Sequence, residues 1–216
     1  MIFAAGERRP RYGSVPVRPR PRAGPALLGL AAVAVSFGGV VFAMFAAPWF
    51  SPFVHALSDL GARGAATAPI FNGALLVGGA LGVGFVVSVL ADVDHPIHAA
   101  GAMFGLLAMA FMALVGVFPL PHPMHGVVAI PFFVCLTLAV LLWGAGDYAA
   151  GRTVRGLVLV LAGVLHVVSW AWWILYPWFP PGIAIPELVG SVAFALWGDW
   201  IAVDELRRLR VDRDRL

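Results

Sequence analysis

His55 and Asp59 stand four apart in a polar stretch, 48–72, that interrupts an otherwise apolar chain. Side chains four apart share one face of a helix. An aspartate beside an imidazole can fix its tautomer and orientation, and the same pair can supply two ligands to a metal. Asp59 is also four residues before Arg63, so a solvated ion pair is the competing use of that carboxylate. His122 and His125, three apart, approach the same end of the chain's layout. Together His55, Asp59, His122 and His125 offer the N and O donors of a tetrahedral zinc site, although their spacing matches no established zinc motif. Glu187 follows Pro186 at the start of a later apolar run, where the helix dipole already favours an acid. Asp59, His125 and Glu187 therefore form the candidate catalytic set: His125 as general base or ligand, Asp59 as its orienter or second ligand, Glu187 as a proton carrier. Ser58, Arg63 and Asn72 are further polar candidates in the same stretch. His166 is a separate case, because it falls about ten residues from each end of an apolar run. A neutral imidazole bonded to a neighbouring helix is the plainer use of it. No Gly-x-Ser-x-Gly, Walker loop, His-Glu-x-x-His or cysteine pair occurs, so no nucleophile is marked.

The elements that must position these residues are legible from composition. The 216 residues are 61% hydrophobic and 12% charged, against about 25% charged in a soluble domain. Apolar runs at 25–47, 69–91, 96–117, 123–145, 155–176 and 183–203 are each about the 20 residues that cross a bilayer. The expected fold is therefore all-α: a polytopic bundle of six transmembrane helices over 25–203. It is preceded by a disordered Arg/Pro-rich tail, 1–24, and followed by a charged tail, 204–216. The first run is too long for a signal-peptide core and reads as a retained span. The lone Cys135 lies inside an apolar run, which excludes a disulfide framework. Gly78 and Gly82, and Gly101 and Gly105, recur at spacing four, as in closely packed membrane helices. Pro131 should kink the fourth span.

Orientation follows from arginine, the chain's only basic residue besides histidine. With both termini cytoplasmic, every arginine except Arg63 lies on the inner side, a strong positive-inside pattern. The basic tail then lies against anionic lipid, and nucleic acid is not an expected partner. Trp49, Trp170, Trp172, Trp173, Tyr176 and Trp178 fall at the outer interface, and Trp143, Trp197 and Trp200 at the inner one, as two aromatic belts. On the inner side Asp92, Asp94, His95 and His98 read as loop and helix-capping residues, and Asp204 pairs with Arg208. In the first outer loop, Ser51-Pro52 reads as a helix start and Gly61 as the glycine ending that helix. The segment between them is expected to be a short amphipathic helix in the interface, with Phe53, Ala56, Leu57 and Leu60 on one face and His55, Ser58, Asp59 and Arg63 turned to water. His122 is expected to cap the fourth span.

Ser58-Asp59-Leu60-Gly61, Phe71-Asn72, Gly116-Val117-Phe118-Pro119, His125 and Pro186-Glu187 together resemble the domain of unknown function 998 family. The resemblance covers roughly 27–203 and implies a six-span prokaryotic integral membrane protein of unassigned activity, set in the plasma membrane. His55 and His122 have no counterpart in that pattern, which leaves Asp59, Asn72, His125 and Glu187 as its shared polar set. A more distant likeness, in the Ser-Asp-x-Gly turn and the span layout, is to the Frag1/DRAM/Sfk1-like membrane proteins, some of them tied to lipid-anchor processing. Three functions are compatible with these residues. One is binding of a lipid or membrane partner through the outer mouth. Another is a membrane-embedded, possibly zinc-dependent, hydrolase or transferase acting on lipid. The third, a small proton-linked carrier using His166 and Glu187, is disfavoured by the scarcity of charge in the spans.

Overall fold

The computed structural model describes residues 23–176 and 182–213. The basic tail, Trp178 and most of the loop before the last helix fall outside the described residues. Six long helices account for most of the rest: α1 (Ala23–Ala46), α2 (Ala68–Asp92), α3 (Pro96–Val117), α4 (His125–Ala149), α5 (Thr153–Leu175) and α6 (Ala184–Arg213). No strand occurs among the described residues. Five of the helices, α1 to α5, are long and apolar enough to cross a membrane. The sixth, α6, is a single helix of 30 residues. It carries Glu187 and Asp199 inside its apolar part and runs on through the charged segment beyond Val203.

Proline sets two of the starts. Pro69 and Pro96 occupy the first turns of α2 and α3, where a missing N–H costs nothing and φ is already helical. The start of α4 lies later than the sequence suggests. Met124, not His122, holds the N-cap position, and the His122 ring instead accepts the Met124 N–H at 3.1 Å in the turn ahead of the helix. Helix α4 continues through Pro131. Its end is made by Gly151, whose φ of 80° lies in the left-handed region open to glycine. That reversal turns Arg152 back over the last turn of α4.

The helices pack as a ring in chain order, closed by α6 against α1, with α4 also touching α6. Small residues sit at the crossings. Gly78, Gly82, Gly101 and Gly105 are all buried, as their spacing suggests. At the α4–α5 crossing, a Cβ on Gly144 would come within 2.9 Å of the Gly156 carbonyl. Helix α5 shows the logic of the whole exterior. Gly156, Leu159, Gly163 and His166 form its narrow buried stripe, while Leu157, Leu161, Leu165 and Val168 are exposed. An apolar outside around a buried polar residue inverts the soluble pattern and suits a lipid surround.

The inner aromatic belt is not formed as expected. Trp143 and Trp197 are buried and meet edge to face at 6.2 Å in the core. Gly105 makes this possible, because a Cβ there would fall 2.5 Å from the Trp197 ring. At the opposite end Trp49, Trp172 and Tyr176 are exposed, as belt residues are.

Candidate functional site

The loop joining α1 to α2 closes one end of the bundle. Ser51 starts it with a turn, its carbonyl accepting the N–H groups of Val54 and His55. The His55 ring packs against Trp49 at 5.2 Å and Phe50 at 5.8 Å, and its Nδ1 accepts the Ser51 N–H at 3.0 Å. The chain then runs beside the start of α6. Gly182 N–H bonds to the Phe53 carbonyl at 3.1 Å, and Ala184 N–H to that of His55 at 3.0 Å. Two residues on, the Leu57 N–H donates to Glu187 Oε2 at 2.6 Å. Every second residue of the loop is thus bonded to α6.

A 3-10 turn, Leu57–Gly61, follows. It replaces the longer amphipathic helix that the sequence suggests. The physical reason is that the Phe53 and His55 carbonyls and the Leu57 N–H bond outward to Gly182, Ala184 and Glu187 instead of along a helix. Of the expected polar face, Ser58 is buried along with Leu57 and Leu60, His55 and Asp59 are partly buried, and Arg63 is exposed. Asp59 Oδ2 accepts the Ala56 N–H at 2.8 Å, so two carboxylates, Asp59 and Glu187, hold successive N–H groups at the head of this turn. Thr67 Oγ1 donates to the Leu60 carbonyl at 2.7 Å. Asn72 Nδ2 donates to the Gly61 carbonyl at 2.8 Å, and a Cβ on Gly61 would collide with the Asn72 amide and the Phe71 ring. Gly61 is thus required by close approach; among the described residues, positive φ is confined to Gly64 and Gly151. Gly116 repeats the device from α3, where a Cβ would stand 2.5 Å from the Asn72 carbonyl.

The α3–α4 loop joins the same cap. Arg63 N–H donates to the Leu120 carbonyl at 2.8 Å, and His125 Nδ1 bonds to the Phe118 carbonyl at 2.8 Å. A carbonyl only accepts, so Nδ1 carries a proton, and Nε2 is left without a protein partner. The orienter of His125 is therefore Phe118, while Asp59 serves the backbone of Ala56. His55, Asp59, His122 and His125 each have separate local partners. Among the described residues no three His, Cys, Asp or Glu side chains gather as a metal site would need.

What the cap does bring together is His125 and Glu187. Both line a cavity of about 50 Å³ in the middle of the bundle, beneath the 3-10 turn. Its walls are mainly apolar, and include the phenylalanines Phe37, Phe71, Phe132, Phe133 and Phe194. Ser36 and Ser191 also line it, but each hydroxyl is spent on a carbonyl of its own helix, at 2.6 and 2.9 Å. The polar end is thus Ser58, His125 and Glu187, all buried. Glu187 Oε1, His125 Nε2 and Ser58 Oγ take no hydrogen bond among the described residues.

His166 stands apart from this cavity. Trp170 Nε1 donates to its Nε2 at 2.9 Å, so its proton is on Nδ1, which bonds to Thr137 Oγ1 at 2.8 Å. Thr137 in turn donates to the Phe133 carbonyl at 2.8 Å. The imidazole is satisfied by α4 and its own helix, the plainer of the two uses its position suggests.

The opposite end holds a cluster centred on a residue that sequence reasoning passed over. Asp147, fully buried in the last turn of α4, accepts from Arg152 Nη2 at 2.5 Å, Arg155 Nη2 at 2.8 Å and His98 Nε2 at 2.9 Å. Arg155 also pairs with Asp204 of α6. Asp204 thus belongs to Arg155, and Arg208 pairs with Glu205 instead. His98 is likewise a buried partner from α3 and not a loop residue. The signal was present: an aspartate two residues past an apolar run, with arginines five and eight residues later.

Six long helices in a ring, an apolar exterior and polar groups gathered at two ends define a polytopic α-helical membrane protein. The chain belongs to the family described as protein of unknown function (DUF998), whose model matches residues 30–204. No curated protein and no solved structure matches it. The residues that carry the family resemblance are those that knit the cap: Gly61 to Asn72, Asn72 to Gly116, Phe118 to His125, and Glu187 to the 3-10 turn.

Proposed function

We propose that this is a six-span plasma-membrane protein, both termini cytoplasmic, that binds a lipid-like or small amphiphilic ligand in the cavity beneath its outer cap. The observation that carries the reading is that cavity, aromatic-walled and apolar except where Ser58, His125 and Glu187 converge. Apolar pockets with a few convergent polar groups are the usual form of small-molecule sites. The sixth span is supported by the reach of α6. Glu187 touches the cap and Asp204 touches Arg155 at the far end, a separation of about 26 Å along a helix rising 1.5 Å per residue. The orientation rests on the arginine asymmetry.

Filling the cavity tests this. Ala129 lines it one helical turn from His125, and Ala129→Leu should leave the bundle folded. Native mass spectrometry of protein extracted in mild detergent should show a bound amphiphile on the parent chain and lose it on Ala129→Leu. An equal ligand content in both would exclude the cavity as the site. A second reading, a membrane-embedded hydrolase or transferase, draws on His125 and Glu187 sharing one cavity. It requires His125→Gln to abolish turnover of a bound lipid while leaving its binding intact.

A further inference from the structure

The chemistry of the polar end narrows the ligand class, and the narrowing rests on the cavity being a ligand site. Glu187 is 6% exposed and lines the cavity, with Oε2 taken by the Leu57 N–H and no donor on Oε1 among the described residues. His125 offers Nε2, because Nδ1 carries the proton given to Phe118. Ser58 Oγ can accept or donate. The donor that lies nearest, the Leu57 N–H, is already taken by Oε2. Ser36 and Ser191 direct their hydroxyl protons away to backbone carbonyls. The cavity therefore offers a carboxyl group, an imidazole nitrogen and a hydroxyl, with no arginine on its wall. A phosphate or carboxylate entering it would find no arginine to pair with.

A cation meets the opposite situation. The carboxylate supplies the counter-charge, Nε2 and Oγ take up further N–H groups, and phenyl rings around them attract cations. About three to five water-sized groups fit the volume, on the scale of one probe sphere for each water. We infer that the cavity binds a primary ammonium group on a short apolar stem, with Glu187 as its counter-ion. The amine is either a free alkylamine or the head of an amine-bearing lipid.

The test uses the full chain in phosphatidylcholine nanodiscs, titrated with n-propylammonium, n-propanol and propionate, with binding read by calorimetry and by the shift in Tm. Propylammonium should bind and raise the Tm, while propanol and propionate should not. Glu187→Gln keeps an acceptor for the Leu57 N–H, so it preserves the cap. It should weaken propylammonium binding by about thirtyfold or more, the loss expected when one partner of a buried charge pair is removed. Ala129→Leu should abolish binding by occupying the space with Glu187 intact. Propanol binding as well as propylammonium, or Glu187→Gln binding unchanged, would overturn the ammonium assignment while leaving a ligand site. Absence of binding by all three probes would overturn the ligand-site reading as well. Weaker propylammonium binding in phosphatidylethanolamine nanodiscs than in phosphatidylcholine ones assigns the site to a lipid amine, and equal binding assigns it to a free one.

Discussion

Gly61 and Asn72 meet across eleven residues of chain, and their contact explains two motif positions at once. The Asn72 amide satisfies the Gly61 carbonyl and occupies the space a Cβ would need. Gly61→Ala should therefore destabilise the protein by about 1–3 kcal/mol, as overpacking does. Asn72→Ala should cost about 1 kcal/mol through the lost hydrogen bond. The two share one contact, so the double variant should be less destabilised than the sum, because removing the Asn72 amide makes room for the new methyl. Reversible unfolding in mixed micelles measures all three, and strict additivity would mean that the two residues act independently. The sequence marked both residues but assigned Gly61 the wrong reason. A glycine ending a helix and a glycine pressed against a side chain look alike until the partner is placed. Asp59 and His125 had the same ambiguity: spacing shows that two groups can meet, not whether a backbone N–H or carbonyl takes one of them first.

At the scale of elements, the spans were legible and the joints were not. Apolar runs of membrane length leave little freedom in where a helix lies, and α3 has the expected bounds of 96–117. Joints depend on partners distant in sequence, so the cap's bonds to α6 and the Asp147 cluster had no local signature beyond the charge itself. That cluster ties α3, α4 and α5 through the Asp147 carboxylate, and α6 through Asp204 on Arg155. Asp147→Ala should destabilise by about 3–5 kcal/mol, because it strands buried cations. The two arginines should differ. The Arg155 side chain is 13% exposed and bridges Asp204, while that of Arg152 is 42% exposed and can exchange its partner for water or lipid phosphate. Arg155→Ala should thus cost markedly more than Arg152→Ala in the same unfolding measurement. Equal costs would show that solvent exposure does not weaken the Arg152 pair.

The whole molecule is a ring of helices whose two ends are built differently, and the proposed topology sets them on opposite faces of the membrane. One end carries backbone-laced loops with Arg63 alone among the arginines; the other carries the Asp147 cluster and the arginines of α6. Both ends of α6 are anchored, at Leu57 and at Arg155, and the proposed six-span topology has it cross with α1 to α5. These facts fix a labelling pattern. Cys135 is buried and is the chain's single cysteine, so Cys135→Ala gives a background without competing thiols. On it, Ala66→Cys lies at an exposed position of the cap, Ala150→Cys at an exposed position between α4 and α5, and Arg210→Cys on the exposed face of the charged end of α6. A membrane-impermeant maleimide added to intact cells should label Ala66→Cys and spare the other two, and all three should label after permeabilisation. Labelling of Arg210→Cys from outside, with Ala150→Cys protected, would mean that α6 does not cross and that only five helices span. Labelling of Ala150→Cys with protection of Ala66→Cys would invert the molecule, placing the cavity and its cap on the cytoplasmic side and reversing the side from which any ligand must enter.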